Sequence, residues 1–228
     1  MILKSWWPWA AVCVATFAPA LAQTPAPSTA PASDKPALTQ AELEQLLAPI
    51  ALYPDSVLTQ MLMASTYPVE IVQADRWAKE NKNLKGDALA TDLEKQPWDP
   101  SVKSLVNFPD VLTMMSEKLD LTVKIGDAFI GQQADVMNTI QALRAKAQAS
   151  GNLKTNEQQK IIVEPAPAPT TVVVQGATPP PPQIITIEPA QPQVIYVPTY
   201  NPTVVYGTWP YPAYPPAPYY PPGYVASN

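Results

Sequence analysis

Lys160 is the last cation in this chain, and beyond it the sequence changes its chemistry. The only charged side chains after it are Glu164 and Glu188, and eighteen of the 30 prolines fall between residues 165 and 222. Proline locks φ and removes an amide donor, so it interrupts helix interiors and central strands alike. The long helices are therefore expected before Lys160. The C-terminal remainder is expected as short strands that stop at prolines, or as polyproline-like extended chain. The expected fold class is mainly α: a small multi-helix domain, then a short β-meander or hairpin, then a Pro/Tyr-rich extended tail.

Residues 1–22 have the form of an export signal. Lys4 supplies the positive start, "WWPWAAVCVATFAPALA" the apolar core, and Ala20-Leu21-Ala22 the small-x-small pattern before a cleavage point at Gln23. The core is short for a bilayer span and runs straight into "QTPAPSTAPASDKPA", a Pro/Ala/Ser linker over 23–37. Cys13, the only cysteine, lies inside the signal, where it sits too early for a lipid anchor.

The helical domain is expected over 38–150. "TQAE" (39–42) has the capping-box form, with Thr39 as the cap, and Leu43, Leu46 and Leu47 follow at helical spacing. "YPDSVLTQMLMAS" (53–65), "YPVEIVQADRWAKEN" (67–81) and "FPDVLTMMSEKL" (108–119) all open on aromatic-Pro, and "WDPSVKSLVNF" (98–108) places Asp99 before Pro100. Proline costs no hydrogen bond there, because the first amides of a helix lack an internal partner. Asp55, Asp99 and Asp110 are accordingly read as caps. Phe129, Val136, Ile140, Leu143 and Ala147 form an apolar stripe, a core face or a self-association seam, and Gly151-Asn152 supply the left-handed stop. Gly126 and Gly131 mark a kink or a close helix contact. Six or seven short helices are expected.

Residues 151–183 read as a Pro-rich linker with short apolar runs, although "IIVEPAPA" (161–168) and "IITIEPAQP" (184–192) look alike. A meander is expected over 184–207, with strands 184–187, 194–197 and 203–206. In the tail, 208–228, prolines at 212, 215, 218 and 221 keep the polyproline II period and line up tyrosines on one edge. The candidate interaction anchors are Tyr196, Tyr200, Tyr206, Trp209, Tyr211, Tyr214 and Tyr220. The stretch 194–207 is read as an ordered element rather than a free ligand peptide.

Catalytic chemistry is scarce. The chain has no histidine, and after removal of the signal no cysteine, which excludes imidazole- or thiol-based triads and His or Cys metal sites. No catalytic residue, metal site or cofactor is read from the sequence. Two carboxylates beside an aromatic, Glu70 and Asp75 with Trp77, leave a carboxylate-dependent hydrolase of envelope polysaccharide as the alternative. The methionines at 61–63 and 114–115 are read as core. With only Arg76 and Arg144 as arginines and no basic run, nucleic acid is a poor partner. The partners that fit are another envelope protein or a cell-wall glycan.

The phrases "LLAPIALYPDSVLTQMLMASTYPVEIVQADRWAKEN", "QPWDPSVKSLVNFPDVLTMMSEKLD", "IGDAFIGQQADVMNTIQALRAKAQASGNL" and "VIYVPTYNPTVVYG" resemble the exported bacterial family called domain of unknown function 3300. The resemblance covers about residues 40–207. It implies a periplasmic or envelope protein of Gram-negative type, with no activity and no site residues assigned. It also implies that relatives run on past the Tyr-Pro tract into a Gly-rich apolar segment, on which a membrane-attached structural role would depend. The expectation carried forward is a non-catalytic exported binding or scaffold module.

Overall fold

The computed structural model describes residues 37–166, 183–191 and 194–216. The stretch read as an export signal and most of the expected linker after it lie outside the described residues, as does Tyr220. Eight helices precede Ser150: α1 (Gln40–Leu47), α2 (Asp55–Ala64), α3 (Pro68–Glu80), α4 (Gly86–Glu94), α5 (Pro100–Leu105), α6 (Pro109–Glu117), α7 (Leu119–Gly131) and α8 (Gln133–Ala149). The strands β1 (Gln159–Pro165) and β2 (Gln183–Pro189) and a last short helix, α9 (Pro202–Val205), complete the described chain. The mainly α architecture stands.

The helix starts obey their local signals with two exceptions. Thr39 and Glu42 form the reciprocal capping box of α1, and Asp99 caps α5 by accepting from the Ser101 amide at 2.8 Å. Proline occupies the first turn of α3, α5 and α6. Asp55 and Asp110 do not cap: Pro54 and Phe108 hold the cap positions, and neither helix has a side-chain cap bond. Asp55 sits one residue too late and Asp110 two, each already inside its helix, where its charge still favours the amide end.

The count exceeds seven because α4 forms and because the stretch leading to Ser150 breaks at Gln132. That residue leaves helical geometry at φ −141, ψ 44, just after Gly131 ends α7. Its side-chain amide then clamps the backbone of Leu38, accepting from the N–H at 2.7 Å and donating to the carbonyl at 3.0 Å. Gly126 is the close contact: an added Cβ would stand 2.2 Å from the Ser65 carbonyl oxygen. At the far end of α8, Gly151 adopts φ +76, with its amide bonded to the Gln148 carbonyl and the Asn152 amide to that of Ala147. This crossed pair is the Schellman stop.

α1 packs on α8, α2 on α5 and α3 on α6, around one apolar core. Val136, Ile140, Leu143 and Ala147 are all buried in it, so the α8 stripe is core rather than a seam. Met61, Met114 and Met115 are core as expected, but Met63 is 43% exposed.

The hairpin differs from the expected meander. β2 pairs antiparallel with β1, which lies within the stretch assigned to the linker, so the two look-alike runs are partners. Ile185 and Ile187 of β2 are fully buried on the helices. Residues 194–197 contribute only a single bridge, from Val194 to Gln191. "TVVY" is helical: Pro202 fills the first turn and the Asn201 side chain accepts from the Thr203 amide at 3.0 Å. A cap and a first-turn proline outweigh the β-branched preference of two valines. Nor do residues 209–214 run on as a rod. The Tyr214 amide donates to the Tyr211 carbonyl at 2.9 Å and the Trp209 indole to the Tyr214 carbonyl at 2.8 Å, closing a turn.

Candidate functional site

Most of the aromatic anchors face inward. The Tyr200 and Tyr206 hydroxyls both donate to the Ala48 carbonyl, at 2.8 and 2.5 Å, where α1 ends. The rings of Tyr53, Tyr200, Tyr206, Trp209 and Tyr211 follow one another edge to face or tilted, at centroid spacings of 6.1–6.4 Å. Lys146 lies over Trp209 and Tyr211 at 5.8 and 5.7 Å and pairs with buried Glu44. Burial pushes the Tyr53, Tyr200 and Tyr206 phenols up, above ordinary tyrosine. The stretch 194–207 is thus an ordered part of the protein's own core. Of the six anchors within the described residues, Tyr196 and Tyr214 are the most exposed. Tyr206→Phe is expected to lower stability by about 1 kcal/mol. The loss is small because Tyr200 still serves the Ala48 carbonyl; urea unfolding measures it.

Arg144 is the residue that sequence reading passed over as a site. It is fully buried. Its guanidinium donates to the carbonyls of Ala51 (2.8 Å), Tyr53 (3.1 Å) and Ile185 (2.7 Å) and to the Asp55 carboxylate (2.8 Å). The other Asp55 oxygen accepts from the Ile187 amide at 2.7 Å. Gln141 adds a two-way clamp on Ile185. One cation therefore ties α8, the α1–α2 turn and β2. The signal was present: Arg144 stands four residues after Ile140, on the apolar face.

The carboxylates considered for catalysis are engaged structurally. Glu70 accepts from the Asp99 amide at 2.6 Å, while Asp75 accepts from Thr113 at 2.7 Å and pairs with Lys79 at 2.8 Å. Burial alone would raise the Asp75 carboxyl. Hydrogen bonds from Lys79, Thr113 and Ser116, with the Lys79 charge, outweigh it and hold the group below the usual range. The Ser101 hydroxyl and amide likewise hold Asp99 low. Both folded-state values are depressed, so their stabilisation is intact above the unfolded carboxylate value and is lost as pH falls through the folded ones. The urea midpoint should hold steady down to about pH 5 and decline below about pH 4. Asp75→Asn should make that decline shallower.

Among the described residues a groove of about 260 Å³ opens where the end of α2 and the start of α3 meet the α7–α8 junction. Met63, Thr66, Tyr67, Asp99, Phe129, Ile130 and Gln133 line it. Ile130 is 70% exposed and Tyr67 41%. Among the described residues no group of three or more acidic side chains could hold a metal ion. No described helix is long and apolar enough to cross a membrane.

The family model described as "Protein of unknown function (DUF3300)" matches residues 39–228. The chain belongs to this family. A DUF3300 relative, "Uncharacterized protein YacH" of Escherichia coli (strain K12), is 44% identical over 212 residues, which is 86% of this chain and 34% of the relative. The chain thus spans about a third of the length of that relative. No solved structure matches. The DUF3300 match takes in all the elements just described, from the Thr39 cap through α9.

Proposed function

We propose that this DUF3300 protein is a non-catalytic binding module of the bacterial envelope, exported by residues 1–22, and that the groove at the α7–α8 junction is its docking site. The reading rests on the exposure of that groove. Met63, Tyr67 and Ile130 stay in solvent while Met61, Met114 and Met115 are buried. Ring walls from Tyr67 and Phe129 suit an extended, proline-bearing segment, which loses little entropy on docking. The lining has one carboxylate, Asp99, held in its charged form, and no cation. The fitting partner segment therefore carries a lysine or arginine.

A proline-rich peptide with one lysine, titrated against the chain from Gln23 onward, should shift the methyl signals of Met63 and Ile130. Ile130→Asp should abolish the response. An unchanged spectrum, or equal binding by the variant, overturns the groove. Export is tested by fusing residues 1–37 to a phosphatase that needs disulfides to become active. Activity in the envelope supports the reading, and a silent fusion removes it. Turnover of envelope polysaccharide by the purified chain, lost in Asp75→Asn, would replace binding with catalysis.

A further inference from the structure

We infer that the outer edge of β1 is a self-association edge, on which a second copy of this chain lays its own β1 antiparallel to the first. The hydrogen-bond phase of the hairpin sets which groups are free. The Ile185 N–H and C=O are bonded to the side chains of Gln141 and Arg144, and the Ile187 N–H to Asp55, so these groups point away from β1. In an antiparallel ladder, opposed pairs alternate between exchanging both bonds and exchanging none. Ile185 and Ile187 therefore belong to non-exchanging pairs, with Val163 and Ile161 opposite them. The bond from the Ala190 amide to the Gln158 carbonyl, at 3.0 Å, fixes the same phase.

The backbone groups of Gln159, Ile161 and Val163 accordingly face the outer edge. Asn156 satisfies Gln159 in both directions, and the Ile161 amide donates to Thr155 Oγ1 at 2.9 Å. Among the described residues this leaves the Ile161 carbonyl and both groups of Val163 without a partner. Val163 is 43% exposed. An open edge of this kind is a template for another strand.

The sequence of β1 indicates which strand. A two-fold axis through Ile162 sets Ile161 opposite Val163 of the second copy. Each Val163 amide then donates to the other Ile161 carbonyl, and each Ile161 amide exchanges Thr155 Oγ1 for the other Val163 carbonyl, so both groups of both residues are paired. The same register places Lys160 opposite Glu164 of the second copy, twice, and opposed charges across a strand pair attract. "KIIVE" is thus complementary to itself when reversed. Pro165 ends the ladder, because it has no N–H to offer. The joined sheet is short, and the association is weak and concentration-dependent.

Sedimentation of the chain from Gln23 onward is expected to show a monomer–dimer equilibrium that moves toward dimer as concentration rises. Lys160→Glu alone and Glu164→Lys alone should each lose the dimer, since like charges then oppose across the axis. An equimolar mixture of the two variants should regain it, because each altered charge meets its opposite in the other chain. A role confined to one hairpin would give no such rescue. The inference is overturned by a wild type that stays monomeric, by dimers that persist in both single variants, or by a mixture of folded variants that does not associate. A Val163 amide protected from exchange equally at every concentration would show the edge covered by its own chain, and would also overturn it.

Discussion

Arg144→Ala is expected to cost about 3–5 kcal/mol, because it takes donors from several buried acceptors at about 1–3 kcal/mol each. Domains are stable by only about 5–15 kcal/mol in total, so this single change should bring the protein close to unfolding. The reason lies in what stays behind. Removing the guanidinium takes the donor from the carbonyls of Ala51 and Tyr53, leaves the Ile185 carbonyl with Gln141 alone and leaves Asp55 holding only the Ile187 amide. A buried acceptor without its donor bears its full desolvation cost. Arg144→Lys should recover little, because a point-like ammonium cannot serve acceptors spread around a planar fork. Urea unfolding gives the magnitude, and limited proteolysis should cut first in β2, which Arg144 fastens to α8 and the α1–α2 turn. A loss below about 1 kcal/mol, the value of one ordinary hydrogen bond, would mean that the hairpin docks through its buried isoleucines with Gln141 and Asp55, and not through Arg144.

This residue also marks the limit of what the sequence discloses. Elements defined within a few residues were legible: the Thr39 capping box, the Asp99 cap, the aromatic-Pro helix starts and the Gly151 stop. Each is a contact between near neighbours, so spacing alone reveals it. The two misplaced caps, Asp55 and Asp110, fail by one and two residues, the usual slack in reading a helix boundary. The larger errors are long-range. Nothing local tells "TVVY" that Tyr206 will reach Ala48, or tells β1 that its partner lies across a proline-rich gap. The tyrosines after residue 195 carried a correct signal of aromatic packing, but composition could not say whether the surface covered was a partner's or the protein's own. The groove was hidden for the converse reason: Met63 and Ile130 look like core residues in a linear reading, and only the packing of α2 against α7 leaves them outside.

Gly126→Ala should be the most damaging of the small substitutions, at about 3 kcal/mol, the upper end of overpacking costs. The added methyl would meet backbone: the Ser65 carbonyl oxygen at 2.2 Å, its carbon at 2.7 Å and the Thr66 nitrogen at 3.1 Å. That backbone has little room to retreat. The Ser65 and Thr66 hydroxyls each donate to a carbonyl one turn back, at 2.7 Å, and the Tyr67 amide holds the Ala64 carbonyl at 2.8 Å. α7 must therefore move away from α2 as a body. Gly86→Ala is the control, since Gly86 sits at φ +54 with nothing within 4 Å of an added methyl. Only its left-handed backbone is strained there, at about 1–2 kcal/mol. A Gly126→Ala loss no larger than that of Gly86→Ala would deny the close crossing of α2 and α7. The same crossing brings Thr66 and Tyr67 face to face with Phe129 and Ile130 across the groove. A variant that stays folded by spreading the helices should therefore also bind the lysine-bearing proline peptide more weakly, linking a packing contact between two helices to the surface proposed for a partner.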